Sequence, residues 1–137
     1  MNFKRGDILS DEAFVYPDGG EPCDKLLLVV NKIHIAPGDV VVVPAKTNIR
    51  EYPYKPDCNP ADKAFYFSEQ IGFYRAKTVI QLQHLVVFSY ADLMAMISSK
   101  RIDANTKSVT AQELGRIIKC LKEIQEDVPR YIQDLIL

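Results

Sequence analysis

Two apolar runs, Lys25 to Asn31 and Asp39 to Ala45, stand out along the chain. Nearly continuous runs of this length, rich in Leu and Val, predict buried strands. Ala36-Pro37-Gly38 joins them at the spacing of antiparallel neighbours. Upstream, a short strand is expected around Asp7, Ile8 and Leu9, with Glu12 to Tyr16 extending it or forming the next. Asp18-Gly19-Gly20-Glu21-Pro22 is a turn signal whose glycines accept positive φ. Downstream, Ala64 to Ser68 reads as a strand. Thr78 to Gln83, running on to Phe88, reads as another, with an alternation too loose to fix its buried face. Between lies Asn48 to Asp62, a polar stretch holding Pro53, Pro56 and Pro60. Connections this long in a compact domain are more often functional than accidental.

The last third changes period. Ser89 is placed to cap a short helix running through Ile97, with Met94 and Met96 as packing residues. Thr110-Ala111-Gln112-Glu113 has the capping-box pattern, and behind it Leu114, Ile117, Ile118, Leu121 and Ile124 recur at helical spacing. Pro129 separates this helix from a tail whose Ile132, Leu135 and Ile136 can dock on the sheet. The pattern is α+β, mainly β, in one domain over 1–137, without internal repeats or a linker.

At 137 residues, 47% hydrophobic and 26% charged, the chain has an ordinary globular composition, which excludes disorder and collagen-like repeats. Lys plus Arg (17) nearly balances Asp plus Glu (18), so no strong net field draws it to nucleic acid or to an anionic membrane. No apolar stretch reaches the 18 residues of a membrane span, and the first residues turn acidic at Asp7 where a signal peptide stays apolar. Cys23, Cys58 and Cys120 are odd in number and widely spaced, without a C-x-x-C. That spacing argues against a zinc finger or a disulfide framework, and predicts three plain small residues in a reducing cytoplasm.

Charge is uneven along the chain. Residues 1–45 carry 4 basic and 7 acidic side chains, and residues 46–77 carry 6 basic against 4 acidic. The second segment interleaves Lys46, Arg50, Lys55 and Arg75 with Tyr52, Tyr54, Tyr66 and Tyr74. Cations among aromatics suit phosphates and stacked single-stranded bases. A solvated loop beside core aromatics has the same composition. His34 and His84 are the only histidines, one expected in a hairpin connection and one in a strand, and structural roles suffice for both. No ligand spacing marks a metal site, and no phosphate-binding glycine loop or hydrolase motif is present.

The order of these elements resembles the MazF/PemK family of toxin endoribonucleases. The resemblance rests on Gly6-Asp7-Ile8 in the first strand, the Gly-rich loop from Asp18 to Asp24, and Lys25 opening the second strand. It continues through Val43 to Thr47, Thr78 to Gln81, and the Val109 to Leu114 start of the last helix. It implies a small SH3-like antiparallel barrel with a C-terminal helix and one or two short helices. It also implies metal-free cleavage of single-stranded RNA without cofactor, a homodimer, and a cognate antitoxin lying in the active groove. Carried over by position, the family's catalytic pair falls on Lys25 and Thr47. Lys25 stands where the family has Arg, and Leu26 where it has Pro.

Such cleavage needs a base for the 2′-hydroxyl, donors for the phosphorane charge and an acid for the 5′-oxygen. Lys25 can supply charge or act as base, Thr47 a hydroxyl, and Glu21 or Asp24 a proton acceptor. Lys46, Arg50, Tyr52, Tyr54, Lys55, Arg75 and Gln81 are the expected RNA-binding set. Three readings fit the chain: a ribonuclease toxin, a catalytically silent barrel that binds RNA or a protein partner, and an unrelated β-barrel interaction domain.

Overall fold

The computed structural model describes residues 3–33, 38–46, 57–67, 78–104 and 107–137. The chain runs through β1 (Ile8–Phe14), β2 (Cys23–Val29), β3 (Asp39–Lys46), β4 (Asp57–Asn59), β5 (Ala64–Tyr66), β6 (Val79–Gln81) and β7 (Val86–Ser89). Then follow α1 (Tyr90–Ser98), β8 (Ile102–Asp103), α2 (Ala111–Glu123) and α3 (Arg130–Ile136). The strands form one antiparallel sheet in the order β4-β5-β6-β3-β2-β1-β8, with β7 beside β3. Its path is open among the described residues. The α+β, mainly antiparallel architecture expected from the sequence is present. No helix is long and apolar enough to cross a membrane.

The continuous apolar runs of β2 and β3 follow from two-sided burial. Side chains alternate between faces along a strand, and here both faces are covered. Leu28, Val30, Val41 and Val43 join Ile8, Phe65 and Ile80 under α2 and α3, contacting Ile117, Leu121, Ile132 and Ile136. Leu27, Val29, Val40 and Val42 join Leu9 and Phe14 on the opposite face, against Leu93 and Ile97 of α1. Neither face tolerates a polar alternation, so the sequence shows none.

The expected strand from Thr78 to Phe88 is broken in two. A 3-10 turn over Leu82–His84 separates β6 from β7, and both halves lie along the same edge of β3. Val42 of β3 pairs with Val86, while Ala45 pairs with Ile80. Pro44 lies between these partners. The Val30 N–H donates to the Val41 carbonyl, which directs the polar groups of Val41 and Val43 toward β2 and the nitrogen of Pro44 toward the outer edge. The one residue without an N–H falls where the outer edge changes partner, so no donor is lost there.

The helix signals hold. Ser89 Oγ accepts from Asp92 N at 3.1 Å, and Thr110 and Glu113 form a reciprocal capping box at 3.1 and 2.8 Å. Ile117, Leu121 and Ile124 are buried, while Leu114 and Ile118 at the margin of the same face are partly covered. Met94 and Met96 pack against the α1-side core.

Two readings are corrected. The polar stretch before Lys63 contains a strand, β4, and a 3-10 turn at Pro60–Asp62; the part over 48–56 lies outside the described residues. Cys58 and Cys120 are joined by a disulfide, and Cys23 is the free one. Linear spacing hid this pair because β4 reaches α2 only after pairing with β5. The cysteines therefore give no support to a reducing compartment.

Candidate functional site

The turn between β1 and β2 builds one side of a polar cluster. Gly19 N donates to the Tyr16 carbonyl at 2.9 Å, which makes Tyr16-Pro17-Asp18-Gly19 a tight turn with proline at its second position. Gly19 and Gly20 have φ of +99° and +116°, conformations that favour glycine. The turn holds the Tyr16 ring over the sheet, where the Lys25 ammonium lies 5.4 Å from its centroid. The electron-rich face of the ring attracts the ammonium.

A bulge in β1 sets which way Lys25 is presented. Asp11 pairs with Lys25, but the next pair is Phe14 with Cys23, so β1 spends an extra residue there. The bulge is locked from beneath. Asp11, fully buried, accepts from Ala13 N at 2.9 Å and from Arg101 Nε and Nη2 at 3.0 Å each, and Arg101 Nη2 also reaches the Ala13 carbonyl at 3.0 Å.

The second side comes from β6 and the 3-10 turn after it. Gln81 is buried, and its Oε1 accepts from the Tyr16 hydroxyl at 2.8 Å. His84 lies edge-to-face on Tyr16, with ring centroids 4.9 Å apart. Burial lowers the His84 pKa from its ordinary value near 6.5; Asp18 acts in the opposite direction and the Lys25 charge reinforces the lowering.

Strand parity adds Lys46. Leu26 pairs with Ala45, so Lys25 and Lys46 stand one residue further along each strand. They share the face of Leu27, Val29, Val40 and Val42, the α1 side of the sheet. Gln81, alternate to Ile80 of the opposite core, falls on this face too. The result is two ammonium-bearing positions, a phenol, a buried amide and a partly buried imidazole on the α1 side of the sheet. Such a set binds a phosphate diester by charge, offers a ring for stacking, and contains a group able to move a proton near neutral pH.

Of the expected site residues, Lys25, Lys46 and Gln81 come together here. Glu21 is exposed in the β1–β2 connection and makes no hydrogen bond or ion pair among the described residues. Thr47, Arg50, Tyr52, Tyr54, Lys55 and Arg75, like His34, lie outside the described residues. Sequence reasoning passed over Tyr16 and left His84 as structural. Only the Pro-Asp-Gly turn after Tyr16 signalled that its ring is held in place. Among the described residues, no three of His, Cys, Asp or Glu converge as metal ligands. No family model matches the chain, and no curated protein matches it.

Proposed function

We propose that the protein is a metal-independent endoribonuclease of the toxin–antitoxin type, cutting single-stranded RNA by attack of the 2′-hydroxyl on the adjacent phosphate. The observation that carries this reading is the grouping of Lys25, Lys46, Tyr16, Gln81 and His84 on one face of the sheet. Lys25 and Lys46 neutralise the phosphate and stabilise the additional charge of the phosphorane, and Tyr16 limits where Lys25 can go. On this reading the sheet, curled between its helical layers, is the small SH3-like barrel of the MazF/PemK resemblance. A cognate antitoxin competes with RNA for the basic face, and the working form is a homodimer.

The replacement of the family Arg by Lys25 favours a second reading, a catalytically silent module, because an ammonium lacks the planar two-point grip of a guanidinium on phosphate. End-group analysis separates the two. Single-stranded RNA is incubated with the purified protein in excess EDTA, beside Lys25→Ala. Cyclic-phosphate ends formed by the wild type and lost in a folded Lys25→Ala support the ribonuclease. RNA that is bound but stays intact supports the silent module.

A further inference from the structure

We propose that His84 is the general base of the cleavage, taking the proton of the attacking 2′-hydroxyl. The inference rests on the ribonuclease reading and adds a residue that the family pattern does not supply. Three observations point to His84. It is partly buried, at the last position of a 3-10 turn, and its ring meets Tyr16 beside the β1–β2 connection. Its ring is set edge-on against Tyr16, whose hydroxyl is in turn fixed by Gln81, so the imidazole is oriented while staying partly accessible. It acts in the same electrostatic neighbourhood as Lys25, the cation expected on the phosphate. Glu21 and Asp24, the alternative acceptors, are both exposed.

The step balances without a metal. The 2′-hydroxyl gives its proton to the neutral imidazole as the O2′–P bond forms. The P–O5′ bond then breaks, and the 5′-oxygen takes a proton from a water molecule. The imidazolium returns its proton to the hydroxide so formed, leaving a 2′,3′-cyclic phosphate and a 5′-hydroxyl. Lys25 carries the phosphorane charge throughout. Asp18 of the β1–β2 connection and Lys25 of β2 act on His84 directly; the same elements also carry Tyr16, Glu21, Cys23 and Asp24, and β3 carries Asp39 and Lys46. Lys63, before β5, is turned toward Asp127 at 3.8 Å. A base with a lowered pKa stays unprotonated at neutral pH, where it is ready to act.

The test is single-turnover cleavage of single-stranded RNA in EDTA from pH 5 to 8.5. It compares the wild type with His84→Ala, His84→Gln and Lys25→Ala, with and without added imidazole, and thermal melts check folding. The wild type is expected to lose activity in acid with a midpoint below 6.5. Both His84 variants should fall by about 10²–10⁴-fold and lose that acid limb. Imidazole should restore part of the rate to His84→Ala and none to Lys25→Ala. His84→Gln, which keeps a polar side chain of similar size, decides the matter if His84→Ala does not fold. A folded His84 variant that cleaves within about threefold of wild type, or keeps the acid limb, overturns the base assignment. In that case, loss of cleavage in Lys25→Ala leaves the ribonuclease reading standing. No cleavage by the wild type at any pH overturns both.

Discussion

The contact between Asp11 and Arg101 joins stability to site geometry, and Arg101→Met probes both. The Asp11 carboxylate has 0% exposure, while the Arg101 side chain is 35% exposed. Arg101 makes three hydrogen bonds into the bulge, two to the carboxylate and one to the Ala13 carbonyl. Methionine replaces most of the aliphatic volume but leaves Asp11 with only the Ala13 N–H. Removing one partner of a buried pair costs about 3–5 kcal/mol, because the remaining charge stays desolvated. The outer end of Arg101 reaches solvent, so water has a route toward Asp11, and the lower end of the range, about 3 kcal/mol, is expected. For 137 residues the unfolding entropy near the midpoint is about 0.3 kcal/mol per degree, so the melting temperature should fall by about 10 °C. Urea unfolding followed by circular dichroism measures the loss directly. Asp11→Asn/Arg101→Met, which removes the stranded charge, should recover at least half of it. A loss below about 1 kcal/mol in Arg101→Met, or a double variant no more stable than the single, refutes the account of the bulge as a locked buried pair.

Three further outcomes follow from the same structure. The Cys58–Cys120 disulfide spans 62 residues of sequence, and the chain-entropy relation gives about 4 kcal/mol for a loop of that size. Dithiothreitol or Cys58→Ser should therefore lower the melting temperature by about 10–15 °C, and a melt indifferent to reductant counts against the bond. His84 has its folded pKa below the unfolded value near 6.5, so the unfolded chain binds the extra proton as pH falls through that value. Stability should decline from about pH 7 downward until the folded pKa is passed, and His84→Gln should flatten that part of the curve in denaturant titrations. Lys100, just past α1, has φ of 66° while its N–H donates to the Ile97 carbonyl. Lys100→Gly relieves a left-handed side-chain conformation and should raise stability by about 0.5–1 kcal/mol, read as a small upward shift in the urea midpoint.

What the sequence could disclose was set by how far apart the interacting residues lie. Ser89 and Thr110 find their partners three residues on, so both helix starts were legible. The β2 and β3 runs were legible because two-sided burial removes polar positions outright. The interruption at Leu82–His84 was not, since it falls beside Pro44, a residue on another strand. β4 was hidden because a three-residue edge strand with Asp57 and Asn59 has the composition of a loop. The site behaved likewise. Gly19-Gly20 marked the turn, but Tyr16 and Gln81 are 65 residues apart, and only the register of the sheet brings His84 to Tyr16. The cysteine pair failed for the same reason, with two sulfurs joined across 62 residues.

Among the described residues, the strands that end the sheet are very short. β4 has three residues and β8 two, while β7, which pairs only with β3 among the described residues, has four and passes directly into α1. Asp57 opens β4 with φ of 76°, and Pro60 follows it. A neighbouring chain seeking to extend a sheet needs a longer row of free backbone groups than these edges offer among the described residues. The β-rich core, whose Val and Leu runs would be aggregation-prone if exposed, is thus held in the interior strands of the sheet. Growth into fibres would first require the outer strands to peel away, and the Cys58–Cys120 link anchors one of them to α2. Concentrated oxidised protein should therefore stay dispersed longer than reduced protein at the same temperature.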